Sequence, residues 1–96
     1  MLPIFAAALV VLGSGAGNAN ICGLVSSTPL DVIVFEDTAI GDEGELIASV
    51  HVDPSAPSWV VATAAHIRLK YRLGKGMPWI YLGRVSCADG ATLKII

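Results

Sequence analysis

Residues 59–73 read WVVATAAHIRLKYRL, and no other stretch constrains the fold as much. Except at Thr63, every odd position is apolar: Trp59, Val61, Ala65, Ile67, Leu69, Tyr71 and Leu73. The even positions begin apolar (Val60, Ala62, Ala64) and then turn basic (His66, Arg68, Lys70, Arg72). Strand side chains alternate between faces, so the pattern predicts a strand with one continuous apolar stripe on its odd face. Its first half is expected to be buried on both faces, and its second half to show a basic face to solvent. A helix capped by Ser58 and ended at Gly74 is the competing reading. Cations at a spacing of two would point all round such a helix and leave no apolar stripe. Fifteen extended residues reach about 50 Å, too far for a domain whose radius of gyration is about 12 Å. The strand must therefore bend or break, and the small side chains of residues 62–65 are the expected place.

The rest of the chain also reads as strands. Residues 31–36 hold four apolar residues between two acids, the pattern of a strand covered on both faces. Residues 45–53 alternate, with Leu46, Ala48, Val50 and Val52 on the inner side. Residues 21–25 suit a short edge strand. Residues 79–82 are apolar at every position and predict a central strand, with Gly83 marking a bulge. Residues 37–44 read as a loop, 53–58 as a turn with two prolines, and 74–78 as a hairpin loop. Asp89-Gly90 predicts a last hairpin. A three-residue loop at 88–90 would set Val85 against Leu93 and Ser86 against Thr92, which segregates polar from apolar pairs. The expected fold class is all-β. It is a small antiparallel β-sandwich or partly open barrel of five or six strands, preceded by an N-terminal apolar helical segment.

That segment, residues 1–19, contains no charged side chain. The run from Ile4 to Leu12 has the length of a signal-peptide h-region. Small residues follow, and Gly17-Asn18-Ala19 suits cleavage after Ala19. The alternative is a retained anchor or assembly helix, because the n-region lacks Lys and Arg. The apolar run is short for a bilayer span of about 20 residues. Residues 20–96 then form a single β-domain, expected to be secreted or periplasmic. A domain of this size is marginal alone, burying only about 60% of its unfolded surface. Cys22 and Cys87 allow one intramolecular pair, and an exported context favours a disulfide over two buried thiols.

Charged residues make up only 15% of the chain, against roughly 25% in soluble domains. They are also unevenly placed. Seven of the eight acids precede residue 54, and all six bases follow residue 67. Cross-strand pairing of an acidic and a basic strand explains this. The competing reading is a ligand surface formed by Arg68, Lys70, Arg72, Lys75 and Arg84, which would take a polyanion such as nucleic acid, an anionic glycan or lipid headgroups. Against it, Tyr71 points away from the cations, and Trp79 and Tyr81 read as core.

No nucleophile elbow, phosphate loop or HExxH motif is present. Ser49, His51 and Asp53 share a strand face, but neighbours at i, i+2 do not converge as a catalytic triad needs. No cysteine–histidine cluster suggests a metal site, and no cofactor is implied. The sequence therefore points to a non-enzymatic exported domain. Its work would be protein–protein contact, through a protein partner or self-association, as an assembly subunit, accessory protein or inhibitor. Membrane association follows only if residues 1–19 are retained.

Overall fold

In the computed structural model the described residues are 19–37 and 44–96. They form seven strands: β1 (Asn20–Val25), β2 (Leu30–Glu36), β3 (Leu46–Val52), β4 (Ser58–Ala62), β5 (His66–Arg72), β6 (Ile80–Ser86) and β7 (Thr92–Lys94). No helix occurs among the described residues. Residues 1–18 of the expected apolar helix and residues 38–43 of the expected 37–44 loop lie outside them. The strands divide into a three-stranded sheet, β4-β1-β7, and a four-stranded sheet, β3-β2-β5-β6. Two separate sheets replace the partly open barrel, and the strand number exceeds the five or six expected.

Buried side chains from both sheets form one core. Cys22, Leu24, Val60 and Ala62 come from the three-stranded sheet, and Leu30, Val32, Val34, Val52, Ile67 and Leu69 from the other. Only β2–β3 and β5–β6 are hairpins within one sheet. The other four connections carry the chain from one sheet to the other.

The break inside residues 59–73 is one of those crossings. β4 ends at Ala62 and β5 begins at His66. In β4 the even residues Val60 and Ala62 face the core, while in β5 the odd residues Ile67 and Leu69 do. Inward points in opposite directions from two facing sheets, so the apolar phase changes parity across residues 63–65. The expectation that β4 is buried on both faces is therefore corrected. Trp59 and Val61 lie on the outer surface, 55% and 59% exposed. Trp59 covers Gly23 on β1. A Cβ at Gly23 would come 3.1 Å from the Trp59 ring and 3.1 Å from the Thr92 methyl group, so glycine admits the ring there.

Glu36 holds the crossing in place. Its carboxylate accepts hydrogen bonds from the Thr63 amide (2.7 Å), the Thr63 hydroxyl (2.6 Å) and the Ala64 amide (3.3 Å). Glu36→Ala should cost about 1 kcal/mol, read as a lower urea midpoint, because three donors lose their acceptor at a solvent-accessible site. An unchanged midpoint would show that the crossing does not depend on this carboxylate.

β1 is the central strand of its sheet, not an edge. It pairs antiparallel with β4 and parallel with β7. The expected β6–β7 hairpin is therefore absent. The turn itself forms: Gly90 has φ +84°, and the Ala91 amide donates to the Ala88 carbonyl at 3.0 Å. The turn delivers the chain to the other sheet. There the Asp89 carboxylate accepts from the Ile21 amide at 2.8 Å, and the Gly90 amide donates to the Ile21 carbonyl at 2.7 Å. The tail then runs along β1, with the Ile95 amide donating to Val25 at 2.8 Å. Turn residues specify a reversal of the chain, and they leave open which strand receives it.

Cys22 and Cys87 form a disulfide with Cα atoms 5.4 Å apart, and both residues are fully buried. It joins β1 to the end of β6 and so ties the two sheets together. A disulfide-bonded small β-domain is compatible with an extracellular location.

Candidate functional site

The outer face of the four-stranded sheet collects most of the charge. Period-two alternation places His66, Arg68, Lys70 and Arg72 there on β5, and Arg84 faces Arg68 directly across β6. Two like charges in register repel. Asp37, just past β2, lies between them. Its carboxylate accepts from Arg68 Nε at 2.7 Å and also from Arg84 Nε, and its side chain is only 9% exposed. At the other end of the sheet Asp31 accepts from Arg72 Nε at 3.0 Å and contacts His51 Nδ1 at 3.0 Å. The cations also lie against rings. The Arg72 guanidinium lies 4.5 Å from the Trp79 ring centre, and Lys70 Nζ is 5.6 Å from that of Phe35. Lys75 is exposed in the β5–β6 loop.

The acids from the first half of the chain therefore face the bases of the second. Arg84 and then Arg68 hold the Asp37 carboxyl below the ordinary aspartate value. His51 and then Arg72 do the same for Asp31. The Thr63 hydroxyl lowers Glu36, and Ser55 lowers Asp53. A carboxylate with a depressed native pKa stabilises the fold above its unfolded value and loses that contribution as pH falls through the native value. The ordinary values are 3.8 for aspartate and 4.5 for glutamate. The urea midpoint should therefore drop as the pH is lowered below about 4. Asp37→Asn should flatten part of that fall. A midpoint insensitive to acid would contradict these pairings.

Trp79 and Tyr81, expected in the core, lie outside. Tyr81 is the cross-strand partner of Lys70, on the outer face. Tyr71 does point inward, against the core. The trio Ser49, His51 and Asp53 does not converge. The His51 ring faces two carboxylates, Asp31 and, 3.8 Å from Nε2, Asp53. Among the described residues no three His, Cys, Asp or Glu side chains are placed to hold a metal ion.

Six of the eleven exposed large apolar side chains among the described residues lie at β6 and the loop before it. Trp79, Ile80, Tyr81 and Leu82 are 38%, 43%, 55% and 39% exposed, and Leu73 and Met77 are exposed beside them. The expectation of a central strand here is corrected, because β6 is the edge of its sheet. The four-stranded sheet is wider than the sheet facing it, and the N-terminal half of β6 is the part left uncovered. A smaller apolar patch, Ile21, Trp59 and Val61, lies on the outside of the other sheet. No family model matches the chain, and no curated protein or solved structure is significantly similar to it. The site is therefore read from its own chemistry.

Proposed function

We propose that this protein is a small exported β-sandwich domain that does no chemistry and acts by contact with other protein surfaces. The observation that carries this reading is the apolar edge: four consecutive large apolar residues, 79–82, lie exposed at the start of β6, which has β5 as its single strand neighbour among the described residues. Exposed apolar groups in one patch mark interaction sites, whereas isolated ones are ordinary. The buried disulfide and the charge-free residues 1–19 support export.

The polyanion reading is weaker. A polyanion would have to displace carboxylates, since Arg68 and Arg84 already bind Asp37 and Arg72 binds Asp31. The aromatic rings on that face, Phe35 and Trp79, are already occupied by Lys70 and Arg72.

Two measurements test the proposal on protein purified from cells expressing the full chain. Intact mass should show loss of residues 1–19 and two hydrogens fewer than the dithiol. Sedimentation velocity should show association that grows with concentration and survives added salt, as apolar contact does. Salt-sensitive retention on heparin that is abolished by Arg68→Ala with Arg72→Ala would favour the polyanion reading instead.

A further inference from the structure

Residues 91–96 lie on β1 in the manner of a bound peptide. They run parallel to it, with Gly23 opposite Thr92, Leu24 opposite Leu93 and Val25 opposite Lys94. The Gly23 amide donates to the Ala91 carbonyl and the Ile95 amide to the Val25 carbonyl, both at 2.8 Å. Beyond the end of β1, the Ser27 amide (2.9 Å) and hydroxyl (3.0 Å) donate to the Ile96 carbonyl. Among the described residues β1 is the only strand that β7 pairs with. Alternate side chains enter the fold. Leu93 is half-buried against the core and Ile95 is 7% exposed, while Thr92 and Lys94 face out. A backbone ladder that supplies affinity and alternate side chains that supply selectivity are the two parts of recognition by strand addition.

The chain is fixed before this segment and without its help. Cys87 is bonded to Cys22, and its amide donates to the Ala65 carbonyl at 2.9 Å. The turn that follows is held on Ile21 through Asp89 and Gly90. β1 keeps β4 on its other side. Residues 92–96 can therefore leave β1 while the disulfide, the turn and the β1–β4 ladder stay in place, and a short edge segment opens at small cost.

We propose that this edge of β1 is a docking site for an extended strand of a partner protein, filled here by the chain's own residues 92–96; it lies on the other sheet from the β6 contact surface and goes beyond that reading. The seated segment states what the site accepts. It takes a strand parallel to β1, with aliphatic side chains at the Leu93 and Ile95 positions and a soluble one at the Lys94 position. At the Thr92 position the residue packs beside the Trp59 ring over Gly23, where an added Cβ would come 3.1 Å from both, so a small or β-branched side chain fits. The chain's own segment is a tethered competitor, and a partner binds by displacing it.

The test uses protein purified from cells expressing the full chain. In the wild type the amides of Ser27 and Ile95 should exchange at least about tenfold faster than those of Val32 and Val34 in the central strand of the other sheet, which open only with the whole domain. Equal rates would show that the segment never leaves β1 separately and would overturn the proposal. A synthetic peptide with the sequence of residues 91–96 is the probe. It should bind Ile95→Ser, whose own segment is weakened, at least about tenfold more tightly than the wild type, where the tethered segment competes. Binding should slow exchange at Ser27 and raise the urea midpoint of the variant, and the same peptide with its Leu and Lys exchanged should do neither. Leu93→Ser, at a half-buried position, repeats the measurement with a smaller loss of core. No binding by either folded variant, or equal binding of the two peptides, overturns the proposal. Association between copies that both variants abolish would give the site to a second copy and overturn a partner protein as its occupant. The peptide and exchange readouts follow the β1 site alone, so their failure leaves the β6 contact reading standing.

Discussion

Replacing both cysteines, Cys22→Ala with Cys87→Ala, should lower the unfolding free energy by about 4 kcal/mol. The two residues are 65 apart in sequence, so the bond removes a long loop's freedom from the unfolded chain. Its place in the fold adds to this. It joins β1, the centre of one sheet, to the chain leaving β6 in the other, immediately before the turn that feeds β7 back onto β1. Small domains hold about 5–15 kcal/mol in all, so a loss of this size removes a large fraction of the total. Urea denaturation of the wild type and the double variant measures the difference. Reduced wild type should match the double variant, and it should reduce slowly, because both sulfurs are buried. A difference under about 1 kcal/mol would show that the two sheets hold together without the bond.

The second large effect separates two adjacent residues. Val60→Asp should cost about 3–5 kcal/mol, the range for an unpaired charge left in a core, and should yield mostly unfolded or insoluble protein. Val61→Asp should change stability by about 0.5 kcal/mol or less, as at an ordinary surface site. Val60 is 2% exposed and Val61 59%. Across the crossing the phase reverses, so Ile67→Asp should unfold the domain whereas Arg68→Asp should leave it folded, with its pairing to Asp37 lost. Equal effects at 60 and 61 would mean that β4 is covered on both faces and that the parity change at residues 63–65 is wrong.

That parity change shows what is legible in a sequence and what is not. Alternation places β5 and, from Ala48 on, β3, and it places Arg68, Lys70 and Arg72 on one face, because a period of two is a local property of extended chain. At the bulge opposite Val34 and Phe35 the phase of β3 slips, so Leu46, expected inside, is exposed and Ile47 packs against the core. The break near residues 62–65 follows from length alone. The face that Trp59 and Val61 occupy does not follow. Both faces of β4 are apolar, and hydrophobicity cannot say that one of them covers Gly23 at the surface. The same ambiguity governs β6, whose apolar residues record the need for cover without saying what supplies it. β7 failed for another reason. Asp89-Gly90 makes the expected turn, but Asp89 and Gly90 bond to Ile21 and Ala91 to Gly23 on β1, a tertiary pairing that turn residues do not encode. Asp37 was invisible as the partner of two arginines, because a residue beyond a strand end carries no periodic signal. In the site, alternation makes the cations legible, and the charge asymmetry between halves points to pairing of acidic with basic strands without naming Asp37 and Asp31 as the partners.

Hydrogen exchange on β6 as a function of protein concentration tests the central claim, that this domain works by covering its apolar edge with protein. Edge amides exchange readily in a free monomer because local opening there costs little. The amides of residues 80–82 should become protected as concentration rises, while those of β3, the opposite edge of the same sheet, should exchange at a constant rate. Exchange on β6 that is fast and independent of concentration would contradict the account.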